Sequence, residues 1–234
     1  MDKDTQKMLL NLVKDSYEKI ASDYDITRKK LHTPLFDKLK EISKEIKDGQ
    51  RVLDVGSGNG RLLESFKDTK IEYLGVDKSA TLVSLAKQIY PDKKFIVGDV
   101  LELSQIADLN FDYVFCVALL HHLPGQDLRL AALKQLKNKI NQDGKIIISA
   151  WNMWSQPRFR KFIFKFSLLK LIGKNKMDFG DILFDWKNSS GLVISKRYYH
   201  AFRKYELKKL AKVAGLHAAS LYKDGFNYYM ILSK

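Results

Sequence analysis

The chain has 234 residues, of which 41 are Lys or Arg and 27 are Asp or Glu, so its formal net charge is +14. A hydrophobic content of 45% excludes a disordered chain, the absence of any long uninterrupted apolar run excludes a membrane span, and the single cysteine, Cys116, excludes an internal disulfide. The excess of cations favours polyanionic partners, nucleic acid first and an anionic membrane surface second, unless it only reflects a lysine-rich genome composition.

The first half of the chain predicts an α/β fold. Residues 1–45 predict one or two helices interrupted near Thr33-Pro34, and they lack the apolar core and cleavage site of a signal peptide, so a cytoplasmic protein without a structural metal is expected. Residues 51–150 then alternate helical patterns with five apolar runs, RVLDV, IEYLGV, KFIV, FDYVFCVALL and KIIISA. Such alternation predicts a mostly parallel sheet with helices on both faces.

The second half departs from this rhythm. Residues 151–190 hold all three tryptophans and clustered cations, which predicts a basic aromatic insertion. Alternation resumes in residues 191–234, with one helix and two final strand-like runs, HAASLY and YYMILS. We therefore expect a single domain that consists of a helical lid (1–45), a cofactor-binding core (51–150), the insertion (151–190), and the last part of the sheet with a substrate-site segment (191–234).

A glycine-rich loop, DVGSGNGR, follows the first predicted strand and opens a helix. Gly56, Gly58 and Gly60 allow tight turns and a close approach of the backbone to a ligand. The dinucleotide-binding fingerprint would place its third glycine at Arg61, and no P-loop lysine follows. The spacing therefore disfavours NAD and nucleoside triphosphates.

Three aspartates follow successive predicted strands, and ligands of open α/β sheets bind beyond these strand ends. Asp77 can accept hydrogen bonds from both ribose hydroxyls, Asp99 from an adenine amino group with Val100 against the ring, and Asp54 from the ammonium of a methionine moiety, directly or through water. Each aspartate alone equally fits a helix cap or a turn. Together they predict an S-adenosylmethionine site made of Asp54, Gly56, Ser57, Gly58, Asn59, Gly60, Asp77, Lys78, Asp99, Val100 and Val117.

The landmarks VLDVGSGNG, GVDKS, VGDV and FDYVFCVALLHHL in residues 45–150 resemble the class I methyltransferases. That resemblance implies a Rossmann-like, seven-stranded, mostly parallel sheet whose last strand is antiparallel. The flanking segments SYEKIASDYDITR, ALLHHL, KRYYHAFRKYEL and DGFNYY resemble the tRNA wobble-uridine carboxymethyl methyltransferases. Members of that family esterify a carboxymethyl group on a uridine of the anticodon loop, and the eukaryotic ones use a small zinc-binding activator subunit. This chain departs from those members at Phe226, since they often have an Asn-Trp pair in the terminal motif.

The chemistry implied by this resemblance needs hydrogen-bond donors more than a base, because a carboxylate nucleophile is already ionised at pH 7. The expected catalytic residues are Arg28, His121, His122 and Arg197. The expected substrate-binding residues are Tyr17, Tyr24, Tyr198, His200 and Asn227, and either Tyr198 or Tyr199 would stack on the base. Ordinary structural roles are the alternative: core contacts for the tyrosines, a loop cap for a histidine, and a surface position for Arg28.

The sequence of the insertion is compatible with more than one kind of binding partner. Its segment from Arg158 to Lys176 has seven basic residues and no acid, and its apolar residues recur at helical spacing. Such a helix suits tRNA phosphates, a membrane surface, or a lid with a solvated basic edge. Two other functions therefore stand beside tRNA modification: a small-molecule methyltransferase for quinone or lipid precursors at a membrane, and a non-catalytic cofactor-binding scaffold subunit.

Overall fold

The computed structural model describes residues 1–28, 34–187 and 191–234, and for residues 21–28 it describes the backbone alone. The strands within these ranges are β1 (Arg51–Val55), β2 (Glu72–Asp77), β3 (Lys94–Val97), β4 (Phe111–Val117), β5 (Ile140–Trp151), β6 (Asp181–Lys187), β7 (Val193–His200), β8 (His217–Lys223) and β9 (Asn227–Ser233). The α-helices of the described residues are α1 (Lys3–Arg28), α2 (Pro34–Ser43), α3 (Ala80–Ile89), α4 (Gln126–Lys139), α5 (Pro157–Leu171) and α6 (Lys204–Val213).

Seven strands form the central sheet in the order β3-β2-β1-β4-β5-β9-β8. The strands from β1 to β5 pair in parallel, whereas β9 runs antiparallel to both of its neighbours, β5 and β8. This arrangement confirms the predicted Rossmann-like, mostly parallel sheet with an antiparallel last strand.

Helices cover both faces of the sheet, as predicted. On one face, α2 and α3 pack against Val52, Phe115 and Ile147. On the other face, α4 and α6 pack against strand residues that include Leu53 and Val114. The central strands are buried from both sides, which explains why their sequences are near-continuous apolar runs. No helix in the described part of the chain combines the length and apolar character needed to cross a membrane.

The insertion after β5 consists of α5 and a separate two-stranded antiparallel sheet, β6-β7. Phe159 and Phe162 of α5 pack against Phe184 of β6. The predicted end of the insertion at residue 190 falls between β6 and β7, so β7 belongs with the insertion and not with the central sheet. Its local pattern predicts a strand but carries no information about which strand it pairs with.

A buried polar network ties this small sheet to the core. Asp181 at the start of β6 accepts hydrogen bonds from Arg129 of α4 at 3.3 Å and interacts with His200 Nδ1 at 2.7 Å. The Arg129 guanidinium also donates to the carbonyl of Leu123 at 2.9 Å and to the Tyr198 hydroxyl at 3.2 Å. The side chains of Arg129 and Asp181 are 5% and 0% exposed. The network therefore holds β6 and β7 against α4 and the loop before it.

Candidate functional site

A pocket opens at the carboxyl ends of β1, β2, β3 and β4, beneath α1. These strand ends meet because parallel strands finish at the same edge of a sheet. The lining residues that the sequence predicted for the cofactor are Asp54, Gly56, Ser57, Gly58, Asn59, Asp77, Lys78, Asp99, Val100 and Val117. Gly60 lies just beyond the lining, in the same loop. The structure thus brings the predicted cofactor residues together in one cavity.

Glycine is required in the loop after β1 for both conformation and space. Gly56, Gly58 and Gly60 have φ values of 79°, 55° and 80°, in the left-handed region that residues with a Cβ rarely adopt. A Cβ on Gly56 would collide with the side chain of Leu119, and one on Gly60 would lie 2.7 Å from Phe95 Cζ. Both positions therefore require glycine, because the side chains of Leu119 and Phe95 occupy the space that a Cβ would need.

Asp77 and Asp99 both line the pocket, and the carboxylate of each also accepts hydrogen bonds from nearby protein groups. Asp77 accepts hydrogen bonds from the Gly58 amide at 2.8 Å and the Ser79 amide at 2.9 Å, and burial raises the pKa of its carboxyl. Asp99 accepts from Lys78 Nζ at 2.7 Å and from the Leu101 amide at 3.0 Å. A carboxylate has about four acceptor positions, so these bonds fix both groups and leave room for ligand hydroxyls or amines.

Asp54 is the most deeply buried of the three aspartates. It is 2% exposed, and its Oδ2 accepts a hydrogen bond from the Tyr73 hydroxyl at 2.8 Å. Burial raises the pKa of Asp54 to about 7; the Tyr73 hydrogen bond opposes that shift, and the charge of Asp77 adds to it. A cation placed beside Asp54 would recover the free energy lost by removing its charge from water.

Helix α1 lies over the pocket and is anchored at several points. Its residues Leu10, Val13, Lys14 and Tyr17 line the cavity. The carboxylate of Glu18, the residue after Tyr17, accepts hydrogen bonds from the backbone amide of residue 80 at 3.1 Å and the hydroxyl of residue 81 at 2.6 Å, at the start of α3. The predicted lid segment therefore includes a helix that closes one side of the site.

Tyr17 and His122 meet at the inner wall of the pocket. The Tyr17 hydroxyl lies 2.7 Å from His122 Nε2, and His122 Nδ1 lies 3.3 Å from the carbonyl oxygen of Tyr198. Because a carbonyl can only accept, Nδ1 carries the proton in the neutral ring, and Nε2 accepts from Tyr17. His122 thereby connects the lid helix to β7.

His121 has the opposite tautomer. Its Nδ1 accepts a hydrogen bond from the Trp151 amide at 3.4 Å, so the neutral ring carries its proton on Nε2. Burial keeps the pKa of His121 well below its ordinary value of 6.5, with the neighbouring histidines adding to that effect. Nε2 has no hydrogen-bond partner among the described residues, and His121 lines the pocket. The site therefore contains a neutral N–H donor that no described protein group uses.

An aromatic wall made of Trp151 and Tyr199 stands beside His121; the sequence did not predict Trp151, and it predicted Tyr199 only as an alternative to Tyr198 for stacking on the base. Trp151 at the end of β5 stacks on Tyr199 of β7 with ring centroids 5.0 Å apart and an interplanar angle of 18°. His121 stacks on the same Tyr199 ring, also at 5.0 Å. Trp151 and Tyr199 both line the pocket. The position of Trp151 at a carboxyl strand end was the available signal, since the same rule predicted Asp54, Asp77 and Asp99.

Strand alternation separates the candidates on β7. Tyr199 faces the pocket, and the Tyr199 hydroxyl accepts from Arg197 at 3.4 Å, while Arg197 also packs on the Trp186 ring. Tyr198 and His200 point to the other face, into the network with Asp181. Residues i and i+2 share a face of a strand, so Tyr198 and His200 lie away from the pocket and Tyr199 takes the position expected for Tyr198.

The four remaining candidates, Asn227, Tyr24, Arg28 and Arg197, are not among the residues that line the pocket in the described part of the chain. Asn227 lies buried at the start of β9, where its Nδ2 donates to the Tyr229 hydroxyl at 3.3 Å, outside the pocket lining. Tyr24 and Arg28 fall in the part of α1 whose side chains lie outside the described residues. Arg197 adjoins the aromatic wall without lining the pocket itself.

Comparisons with known proteins bear on these features. A sequence profile described as a methyltransferase domain matches residues 27–221. The chain is 25% identical to the tRNA (carboxymethyluridine(34)-5-O)-methyltransferase of Schizosaccharomyces pombe, over 93% of this chain and 94% of that protein. It is 32% identical to the tRNA (carboxymethyluridine(34)-5-O)-methyltransferase alkbh8 of Xenopus tropicalis, over 62% of this chain and 22% of the longer relative. The solved CcbJ methyltransferase of Streptomyces caelestis superposes with a TM-score of 0.70 at 15% identity, covering 92% of this chain and 96% of that one, which is a likeness of fold.

Proposed function

Because the chain belongs to the class I S-adenosylmethionine-dependent methyltransferases, we propose that it O-methylates the carboxymethyl group of a modified wobble uridine in tRNA. The observation that carries the proposal is the juxtaposition of an unused donor, His121 Nε2–H, with the stacked rings of Trp151 and Tyr199. A carboxylate attached to a planar base needs a donor and a flat apolar wall together. The similarity to the yeast enzyme along nearly the whole chain supports the same substrate.

The residues around the glycine loop fit S-adenosylmethionine. The loop residues Ser57, Gly58 and Asn59 line the cavity together with Asp77, which presents acceptors for ribose hydroxyls, and Asp54, a buried carboxylate suited to an ammonium group. Asp99 and Val100 are the proposed adenine contacts. When bound, this cofactor supplies an electrophilic methyl group on a sulfonium sulfur.

The protein's part in the reaction is to orient the acceptor and keep water out. A carboxylate acceptor carries no proton to remove at pH 7, so the site needs no general base. A neutral His121 suits that task, since it can donate to a carboxylate oxygen without taking up a proton. Helix α1, held by Tyr17 and Glu18, excludes solvent from the same space. Arg28 and Arg197 stay predicted contacts of the carboxylate or of nearby phosphates.

The positive charge of the whole chain supports a polyanionic substrate. A net charge of +14 raises the local concentration of tRNA and accelerates encounter at low ionic strength. Methyl transfer to tRNA is therefore expected to weaken as salt concentration rises.

The test of the function uses bulk tRNA from cells that cannot form the methyl ester. After incubation with purified protein and S-adenosylmethionine, the tRNA is digested and its nucleosides are measured by mass spectrometry. We expect carboxymethyluridine to gain one methyl ester. If tRNA stays unmodified while small carboxylic acids, quinone precursors or lipid precursors are methylated under the same conditions, the proposed acceptor is wrong.

The proposed role of His121 predicts the effect of His121→Asn. Asn can place its side-chain oxygen where Nδ1 lies and so still accept from the Trp151 amide, but it does not extend to the Nε2 position. We expect kcat/KM for the tRNA acceptor to fall about thirtyfold, which corresponds to about 2 kcal/mol for one hydrogen bond to a charged group, with cofactor affinity unchanged. His217→Asn, at an exposed position on β8, serves as the control. An unchanged kcat/KM for His121→Asn would remove His121 from the acceptor site.

A further inference from the structure

We propose that α5 docks this protein on an anionic lipid surface, with the helix axis lying in the plane of the membrane. The contact would be made by four large apolar side chains that α5 and the residue after it expose, here called the α5 stripe. They are Phe164, Leu168, Leu171 and Ile172, with exposures of 64%, 60%, 72% and 55%.

The α5 stripe lies on the side of the helix that faces away from the fold. At 100° per residue, positions 164, 168 and 171 share one side of the helix. Phe159 and Ile163 occupy the opposite side, where they are buried against β6 and β7. The core of the insertion is thus complete without the stripe, whose one aromatic contact among the described residues is the edge of Trp154 against Phe164 at 6.2 Å.

Cations flank the stripe on both sides. Helical geometry places Arg160 along one edge, and Lys161 and Lys165 along the other. None of these three cations forms a salt bridge with a described residue, and no acid occurs between Arg158 and Met177. Lys161 and Lys165 instead lie over neighbouring phenylalanine rings, at 5.4 Å and 5.9 Å from the ring centroids. The stripe is therefore an apolar strip with one cation along one edge and two along the other, none of them in a salt bridge with a described residue.

An anionic membrane satisfies both parts of this pattern at once. The apolar side chains can enter the boundary between headgroups and acyl chains, and the long stems of Lys and Arg let their charges reach lipid phosphates. RNA phosphates would satisfy the cations but would leave the leucines in water. A second copy of the chain would cover the leucines but would bring like charges face to face. A single exposed apolar residue is ordinary, whereas four together between cations are not.

The test measures binding of the full-length protein to vesicles by sedimentation. We expect binding to vesicles of phosphatidylcholine with phosphatidylserine, weaker binding as salt rises, and none to pure phosphatidylcholine. The variant Phe164→Ser/Leu168→Ser is expected to lower the partition coefficient about tenfold or more, with cofactor affinity unchanged. The matched control is Tyr205→Ser/Val213→Ser on α6, which removes two apolar side chains that are 63% and 50% exposed, and it should bind vesicles as the wild type does.

Three results would overturn the proposal. The first is a wild-type protein that does not sediment with the anionic vesicles. The second is a stripe variant that binds them as well as the wild type does, which would mean adsorption by charge alone. The third is a stripe variant that keeps vesicle binding but loses affinity for tRNA, which would assign α5 to RNA. Because vesicle binding is measured without a methyl acceptor, its failure leaves the proposed tRNA methylation untouched.

Discussion

Replacing Asp54 with Asn is expected to stabilise the cofactor-free protein and to weaken cofactor binding. Burial raises the pKa of this carboxyl from 3.8 to about 7. Such a shift corresponds to roughly 4 kcal/mol between the two protonation states, which is an upper bound on the gain in unfolding free energy from removing the charge. Asn keeps an oxygen for the Tyr73 hydroxyl but cannot pair with an ammonium group. We therefore expect the ionised Asp54 to lower the stability of the cofactor-free protein and to raise its affinity for the cofactor.

The contribution of Asp54 to folding stability changes with pH in one direction. In the unfolded chain Asp54 ionises near its ordinary pKa, but in the folded protein it ionises only near pH 7, so the unfolded state holds fewer protons between these values. The contribution of Asp54 therefore becomes less favourable to folding as pH rises from about 4 to about 7, and then stays constant. The stabilisation by Asp54→Asn should accordingly be largest above pH 7 and should shrink as the pH is lowered.

The affinity of the wild-type protein for the cofactor should increase with pH over the range in which the contribution of Asp54 to stability becomes less favourable. The ammonium group prefers an ionised Asp54, so wild-type affinity is expected to rise with pH up to about 7 and to fall by at most about tenfold per unit below it. Calorimetry at several pH values, together with urea unfolding, measures both effects. Asp68→Asn, at an exposed position, is the control. An Asp54→Asn protein that binds the cofactor with wild-type affinity and pH dependence would show that Asp54 does not meet the ammonium.

The sheet and the cofactor pocket could be predicted because their signals are local. Apolar runs mark the strands, and the chain places Asp54, Asp77 and Asp99 at or just beyond the carboxyl ends of three of them. Parallel pairing then brings these strand ends to one edge without further information. The glycines of the loop carry their own signal, since a left-handed backbone excludes most other residues.

The acceptor side of the pocket was harder to predict because it is assembled from distant segments. Alternation along β7 could have placed Arg197 and Tyr199 on one face and Tyr198 on the other, since a strand repeats every two residues. What the sequence could not supply was the choice of face, which depends on the pairing of β7 with β6 and on the packing of α5. The contact between Tyr17 and His122 likewise joins residues 105 positions apart.

The buried network at Asp181 was the least predictable feature, since charged residues of an amphipathic helix are normally read as solvated. Arg129 lies among the polar residues of α4, and its partner Asp181 is 52 positions away in the insertion. Only after β6 folds over α4 does water leave both groups. A charge buried in this way must be paired, because desolvation of an isolated ion costs several kcal/mol.

For that reason, Asp181→Ala is expected to lower the free energy of unfolding by about 3–5 kcal/mol, the range for breaking a buried ion pair from one side. The substitution leaves the Arg129 guanidinium buried without its carboxylate and removes the partner of His200 Nδ1. Asp185→Ala, at an exposed position on the same strand, should change stability little. Urea unfolding of the three proteins at one pH measures the difference.

A double variant distinguishes the loss of the Arg129–Asp181 ion pair from the loss of side-chain volume at the two positions. Arg129→Met/Asp181→Leu removes both charges and keeps apolar volume, so it should cost less than Asp181→Ala alone if the loss comes from a stranded cation. If the double variant is at least as unstable as the single one, geometry and not charge holds β6 to α4. In either variant, loosening β7 should disturb Tyr199 and the carbonyl of Tyr198 that orients His122, so the acceptor side of the pocket should weaken while the glycine loop and its aspartates still bind the cofactor.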